Sequence, residues 1–91
     1  MPTIHLIIEG KVQGVFFRAT ARDVAEELGI TGWIRNTEEG TVEATLSGAR
    51  EQLNEFVKWS KKGPERAVVT DVKVTEKEEE KFESFRVIRG E

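Results

Sequence analysis

Apolar and polar residues alternate from Thr3 to Glu9, with Ile4, Leu6 and Ile8 on one side and His5, Ile7 and Glu9 on the other. That period of two predicts a strand with one strongly apolar face. His5 then points away from the main core and is expected to be solvated, since no titratable partner lies near it in sequence. From Arg18 to Leu28 the period changes: Ala21, Val24, Ala25 and Leu28 fall at helical spacing with Phe17, and Gly29 is placed to cap the helix. Ile30 to Asn36 reads as a strand. After the Glu38-Glu39-Gly40 turn, Thr41 to Leu46 reads as another, with Val42, Ala44 and Leu46 apolar. The two form a hairpin with Gly40 as a positive-φ position and Asn36 at its mouth. A second helix is expected from about Ala49 to Lys62, with Leu53, Phe56, Val57 and Ser60 on one face, stopped by Gly63-Pro64. Val68, Thr70, Val72 and Val74 mark a further strand. The charged run Glu76 to Glu83 reads as a solvated turn, and Phe85 to Arg89 as a last strand. Trp33 and Trp59 are expected to anchor packing.

The order β-α-β-β-α-β plus a final strand predicts an α+β ferredoxin-like sandwich, with two helices on one face of an antiparallel sheet. Right-handed crossovers would set the first strand parallel to the second with the third between them. The last strand should lie at a sheet edge, with a partner that the pattern does not fix. With 91 residues and no internal repeat or linker, one domain spanning residues 1–91 is expected.

Composition narrows the chemistry. There is no Cys and one His, which removes disulfides, thiolate nucleophiles and zinc sites built on thiolates or histidine clusters. The glutamates of the charged run lack the spaced ligands and sharp Gly of a calcium loop. No metal and no cofactor are expected. The first ten residues carry neither a basic n-region nor the length of a signal peptide or membrane span, so a cytoplasmic location and no membrane partner are expected. The formal net charge of −3 offers no broad basic face for nucleic acid. A monomer acting on a small molecule is expected. Charged residues make up 34% of the chain and Met occurs once, a balance that resembles proteins from hot environments and predicts thermostability.

The chemistry-bearing stretch is GKVQGVFFR, Gly10 to Arg18, between the first strand and the first helix. Gly14 can let consecutive N–H groups converge on one point, the nest geometry that holds an anion. Arg18 falls where the helix begins. An anion there would meet unpaired N–H groups, the positive end of the helix dipole and a guanidinium fork. On spacing alone, a plain strand-to-helix turn with a solvated Arg fits equally well. The stretch matches neither GxxxxGK[ST] nor GxGxxG, so a nucleotide loop is not supported.

A second stretch, GWIRNTEEGTVE from Gly32 to Glu43, decides between these readings. Together the two resemble the acylphosphatase family. Its first motif, G-x-V-Q-G-V-x-F-R, is matched by Gly10, Val12, Gln13, Gly14, Val15, Phe17 and Arg18. Its second, G-W-V-x-N-x-x-x-G-x-V-E, is matched by Gly32, Trp33, Asn36, Gly40, Val42 and Glu43, with Ile34 in place of the usual Val. Arg18 and the backbone N–H groups of Gln13, Gly14, Val15, Phe16 and Phe17 could hold a phosphoryl group. Asn36, with one acceptor and two donors, suits a water that must be oriented without losing its proton. No Ser, Cys or Asp with an adjacent base appears, so a covalent intermediate is not indicated. The resemblance implies the same assignment: the matching Arg binds phosphate, the matching Asn positions water, and the substrates are acyl phosphates. An RNA-binding sheet is disfavoured by the lack of Tyr and of an RNP1-like aromatic octet. A non-catalytic anion-binding regulatory domain is the remaining alternative, and Asn36 argues against it because a water-positioning amide serves hydrolysis.

Overall fold

The computed structural model describes residues 1–89; Gly90 and Glu91, which the expected domain includes, lie outside the described residues. The elements run β1 (Thr3–Lys11), α1 (Phe17–Leu28), β2 (Thr31–Asn36), β3 (Val42–Ser47), α2 (Arg50–Ser60), β4 (Val68–Lys77) and β5 (Phe85–Ile88). The five strands form one sheet in the order β4-β1-β3-β2-β5. β3 lies antiparallel to both β1 and β2, so β1 and β2 are parallel with β3 between them, as expected for the ferredoxin-like arrangement.

β5 lies at the sheet edge as expected, but it pairs parallel with β2, so the expected antiparallel sheet is corrected to a mixed one. Chain direction gives the reason. β4 runs antiparallel to β1 at one edge. The segment after it crosses to the opposite edge and reverses, so β5 arrives in the direction of β2. The charged run makes that crossing instead of forming a free turn. Glu80 donates its N–H to Thr3 Oγ1 at 2.9 Å and accepts from Ser47 Oγ at 2.9 Å, which explains two buried hydroxyls at the sheet end.

Ile4, Leu6, Ile8, Ile34, Val42, Ala44 and Leu46 project from one sheet face into the core. α1 buries Phe17, Ala21 and Ala25, and α2 buries Leu53, Phe56 and Ser60. Each fully buried large side chain contributes about 1.5–3 kcal/mol relative to exposure. Trp59 joins the helices, its ring centroid 5.3 Å from Phe17 and 5.5 Å from Phe56. The Phe17 anchor matters for function because the next residue is Arg18.

β4 departs from the simple alternation. A bulge opposite Glu9 and Gly10 shifts the register, so Asp71 faces Glu9 while Val69 faces Gly10. Val69 and Val72 therefore pack against the core, and Val68 is left exposed. A Cβ at Gly10 would lie 2.1 Å from the Val68 carbonyl oxygen, so this close approach requires glycine.

On the opposite sheet face His5 is not a free strand residue. Its Nε2 lies 2.6 Å from Glu43 Oε2, reaching diagonally from β1 to β3. Arg35 holds the other oxygen of Glu43 through Nε at 2.7 Å. Partial burial pushes the Glu43 carboxyl up, but hydrogen bonds and charge from His5 and Arg35 outweigh it and hold it below the usual carboxylate range. Sequence proximity could not reveal this partner, since the sheet brings together residues 38 apart. Among the described residues no helix is long and apolar enough to cross a membrane.

Candidate active site

The loop between β1 and α1 is fixed from beneath. Val12, Val15 and Phe17 are buried in the core, while Gly14 and Phe16 face outward. Gly14 takes φ 74° and Phe16 takes φ 64°. Both are left-handed, and at a bulky residue such as Phe16 that conformation costs about 1–2 kcal/mol. Such strain persists where the surrounding packing over-determines it, often at a functional site. Phe16 is also 71% exposed, so no burial of its ring offsets the strain. Among the described residues, no backbone N–H from Gln13 to Phe17 donates to a protein backbone acceptor.

α1 begins immediately after Phe16 with no side-chain cap and no acidic residue in its first turn. Its leading N–H groups and positive dipole end are thus left for an external anion. Arg18, half-buried in this first turn, donates from Nη1 to the Ile88 carbonyl at 3.3 Å. The last strand thereby steadies the guanidinium beside the loop.

Asn36 ends β2, paired with Val42 at the hairpin mouth. Its Oδ1 is shielded and accepts no hydrogen bond, one of two such buried side-chain atoms among the described residues. An orphaned acceptor costs about 1–3 kcal/mol unless something supplies a donor. The other atom, Thr45 Oγ1, belongs to β3 and does not line the same space. The turn beyond Asn36 is tied by Thr37, whose hydroxyl bonds Thr41 Oγ1 at 2.7 Å. Glu38, Glu39 and Gly40 are exposed there, Gly40 with φ 90° as expected.

A cleft of about 410 Å³ brings the two stretches together: Gly14, Phe16, Phe17, Arg18 and Asn36 all line it. Gln13 is absent from that wall but joins the same assembly from behind. Its Nε2 donates to the carbonyls of Thr37 and Thr41, each at 2.9 Å, bracing the loop against the hairpin that carries Asn36. Sequence reading had use only for the Gln13 backbone, and no local signal points to carbonyls 24 and 28 residues away. It also missed Arg22 and Arg89, which line the cleft with Val87. Arg22 had a legible signal, one helical turn after Arg18 on the same face. Arg89 had none while the partner of the last strand was open. Among the described residues, no group of three His, Cys, Asp or Glu side chains could hold a metal ion.

A small α+β sandwich whose strained, uncapped helix entry shares a cleft with Asn36 belongs to a class of protein that can take an anion there. Comparison with known proteins specifies which. The family model for acylphosphatase matches residues 4–87. An acylphosphatase from Trichormus variabilis is 46% identical over 86 residues, covering 94% of this chain and 85% of the relative. The structure of an acylphosphatase from Coxiella burnetii is 41% identical with a TM-score of 0.93, covering 96% of this chain and 92% of that one. That of Bacillus subtilis is 34% identical with a TM-score of 0.94, covering 97% and 99%. The chain belongs to the acylphosphatase family, and it is an enzyme of the class that hydrolyses acyl phosphates.

Proposed function

We propose that Arg18 and the backbone N–H groups from Gln13 to Phe17 hold the phosphoryl group of an acyl phosphate, and that Asn36 orients the water that attacks it. Phosphoryl transfer asks for little covalent chemistry from a protein; it needs charge neutralised on the equatorial oxygens and an in-line nucleophile. Arg18 supplies a bidentate fork, and the loop supplies donors already fixed by Val12, Val15 and Phe17 in the core. Each well-aimed donor contributes about 2 to 4 kcal/mol in the transition state. Water oxygen forms the new bond to phosphorus as the bond to the acyl oxygen breaks. The carboxylate departs with that electron pair, and the water proton passes to a phosphoryl oxygen.

The observation that carries this reading is the convergence of Asn36 and Arg18 on one cleft beside the uncapped start of α1. The Asn36 amide oxygen accepts no hydrogen bond from the protein, so the amide is uncommitted, and a small rotation would turn it toward a bound water's O–H. A non-catalytic anion-binding domain would need the loop and Arg18 but has no use for this group. The reaction on this reading runs without metal or cofactor, in a cytoplasmic monomer.

The test is hydrolysis of acetyl phosphate and benzoyl phosphate in EDTA by the wild type and by Asn36→Ala. The expected outcome is turnover by the wild type and a loss on the order of 10²-fold in kcat for Asn36→Ala, with inhibition by inorganic phosphate nearly intact. Equal loss of phosphate affinity would make Asn36 part of the phosphate grip instead. Because its Oδ1 makes no protein hydrogen bond, the substitution should leave thermal stability close to wild type.

A further inference from the structure

The charge lining the cleft exceeds what one phosphoryl group requires. Three guanidinium side chains, Arg18, Arg22 and Arg89, line it, and among the described residues no carboxylate does, in a chain whose net charge is −3. Arg18, the loop N–H groups and the helix dipole already answer the phosphoryl dianion. Arg22 and Arg89 remain. Arg22 sits one helical turn after Arg18, and helix side chains lean toward the N-terminus, which carries its guanidinium back toward the loop. Its approach to Asp23, at 3.9 Å between exposed side chains, is too long to neutralise it. Arg89 directly follows Ile88, whose carbonyl accepts from Arg18, so the end of β5 delivers a second cation to the same rim.

From this surplus we propose that Arg22 and Arg89 form a second anion subsite. The substrates it favours are acyl phosphates whose acyl group ends in a second anionic group, a carboxylate or a phosphate. The inference rests on the phosphoryl-binding role of Arg18 proposed above. Planar guanidinium groups suit either group, because both present paired oxygens to a fork. Neutral acyl phosphates still react, since the reacting centre does not involve the subsite; an anionic tail adds affinity.

The test compares three rigid trans substrates that cannot cyclise: crotonoyl phosphate with a neutral tail, fumaroyl phosphate with a carboxylate, and 3-phosphonoacryloyl phosphate with a phosphonate. The readout is kcat/KM for each anionic substrate divided by that for crotonoyl phosphate, so intrinsic reactivity cancels when variants are compared. Arg22→Gln and Arg89→Gln should each lower that ratio about three- to tenfold, the range for partly exposed charge-assisted contacts. The wild-type ratio should also shrink as ionic strength rises from about 0.05 to 0.5 M. Arg86→Gln, which removes the same charge from β5 outside this cleft, should leave the ratio unchanged. A fall confined to the carboxylate or the phosphonate substrate assigns the subsite to that group. Ratios unmoved in both Arg22→Gln and Arg89→Gln, or moved equally by Arg86→Gln, would overturn the subsite while leaving crotonoyl phosphate hydrolysis and the catalytic reading intact. If the wild type cleaves none of the three, the catalytic reading fails first and the subsite with it.

Discussion

The side-chain amide of Gln13 donates to the backbone carbonyl of Thr37 at 2.9 Å, joining the loop that leads into α1 to the turn that follows Asn36. A second bond of equal length to the Thr41 carbonyl makes the brace two-pronged. One side chain that does not line the cleft thus braces the loop before Arg18 against the hairpin that carries Asn36.

Gln13→Met keeps the volume and removes the donors, which should let the two halves drift and misplace the water. Small misplacements of reacting groups cost rate more than binding. The expected outcome is a fall of about tenfold in kcat with phosphate inhibition within about threefold of wild type. Gln13→Glu should be worse, because a carboxylate would then face two carbonyl oxygens. Steady-state kinetics with phosphate as competitive inhibitor separates the two effects, and parallel loss of both would show only a loosened loop.

For Arg18 the opposite pattern is expected. On the proposed role its charged fork would meet the phosphoryl group in the ground state and the transition state alike, so Arg18→Gln should weaken substrate binding, turnover and phosphate inhibition together. Arg18→Lys should recover only part, since an ammonium cannot bind two oxygens as a planar fork does. Wild-type inhibition by phosphate in Arg18→Gln would remove Arg18 from the grip.

Much of this could be read from the chain because local and global signals agree. Alternation at Ile4, Leu6 and Ile8 and helical spacing at Ala21 and Ala25 marked core faces that the structure buries. Two marked stretches named Arg18 and Asn36, which the fold brings to one cleft. What escaped was non-local. The bulge that exposes Val68 depends on the approach of Gly10 from another strand, and the contact of Arg18 with Ile88 depends on where β5 docks. The His5–Glu43 pair exists only because β1 and β3 are neighbours. Period and motif report which face a residue presents; they do not report who stands opposite.

That pair gives a pH signature. Glu43 has a folded-state pKa held below its ordinary value, with His5 and Arg35 facing it. A depressed carboxylate contributes stability at pH above its unfolded value, and the contribution is lost as pH falls through the folded one. Wild-type stability should therefore decline as pH drops below about 4.5. Glu43→Gln should lose about 1–2 kcal/mol at pH 7 and show a shallower acid limb. Urea titrations from pH 7 to 3 measure both, and parallel acid limbs would exclude Glu43 as the source. At neutral pH, cross-element pairs such as Arg50–Glu76 at 2.9 Å and Lys73–Glu9 at 2.9 Å become less costly as temperature rises. The expected melting temperature is above about 65 °C.

The last prediction concerns the leaving group. Among the described residues, no Asp, Glu, His or Cys lines the cleft that holds Arg18 and Asn36, and Glu38 and Glu39 are exposed at the hairpin tip. No side chain among the described residues is therefore placed to protonate a departing oxygen. A carboxylate leaves an acyl phosphate as a weakly basic anion and needs no proton, whereas an alkoxide leaving a phosphate monoester needs an acid or a metal. Neither a guanidinium nor a side-chain amide is an acid that could supply that proton. Selection between the anhydride and the ester then comes from leaving-group chemistry, with the tail preference of Arg22 and Arg89 acting only within the acyl phosphates. The expected outcome is hydrolysis of several unrelated acyl phosphates, unchanged by EDTA, with little or no release of phosphate from glycerol phosphate. Comparable kcat/KM on an alkyl monoester would reveal an acid, nucleophile or metal in the site, and attack by water without proton donation to the leaving group would have to be abandoned.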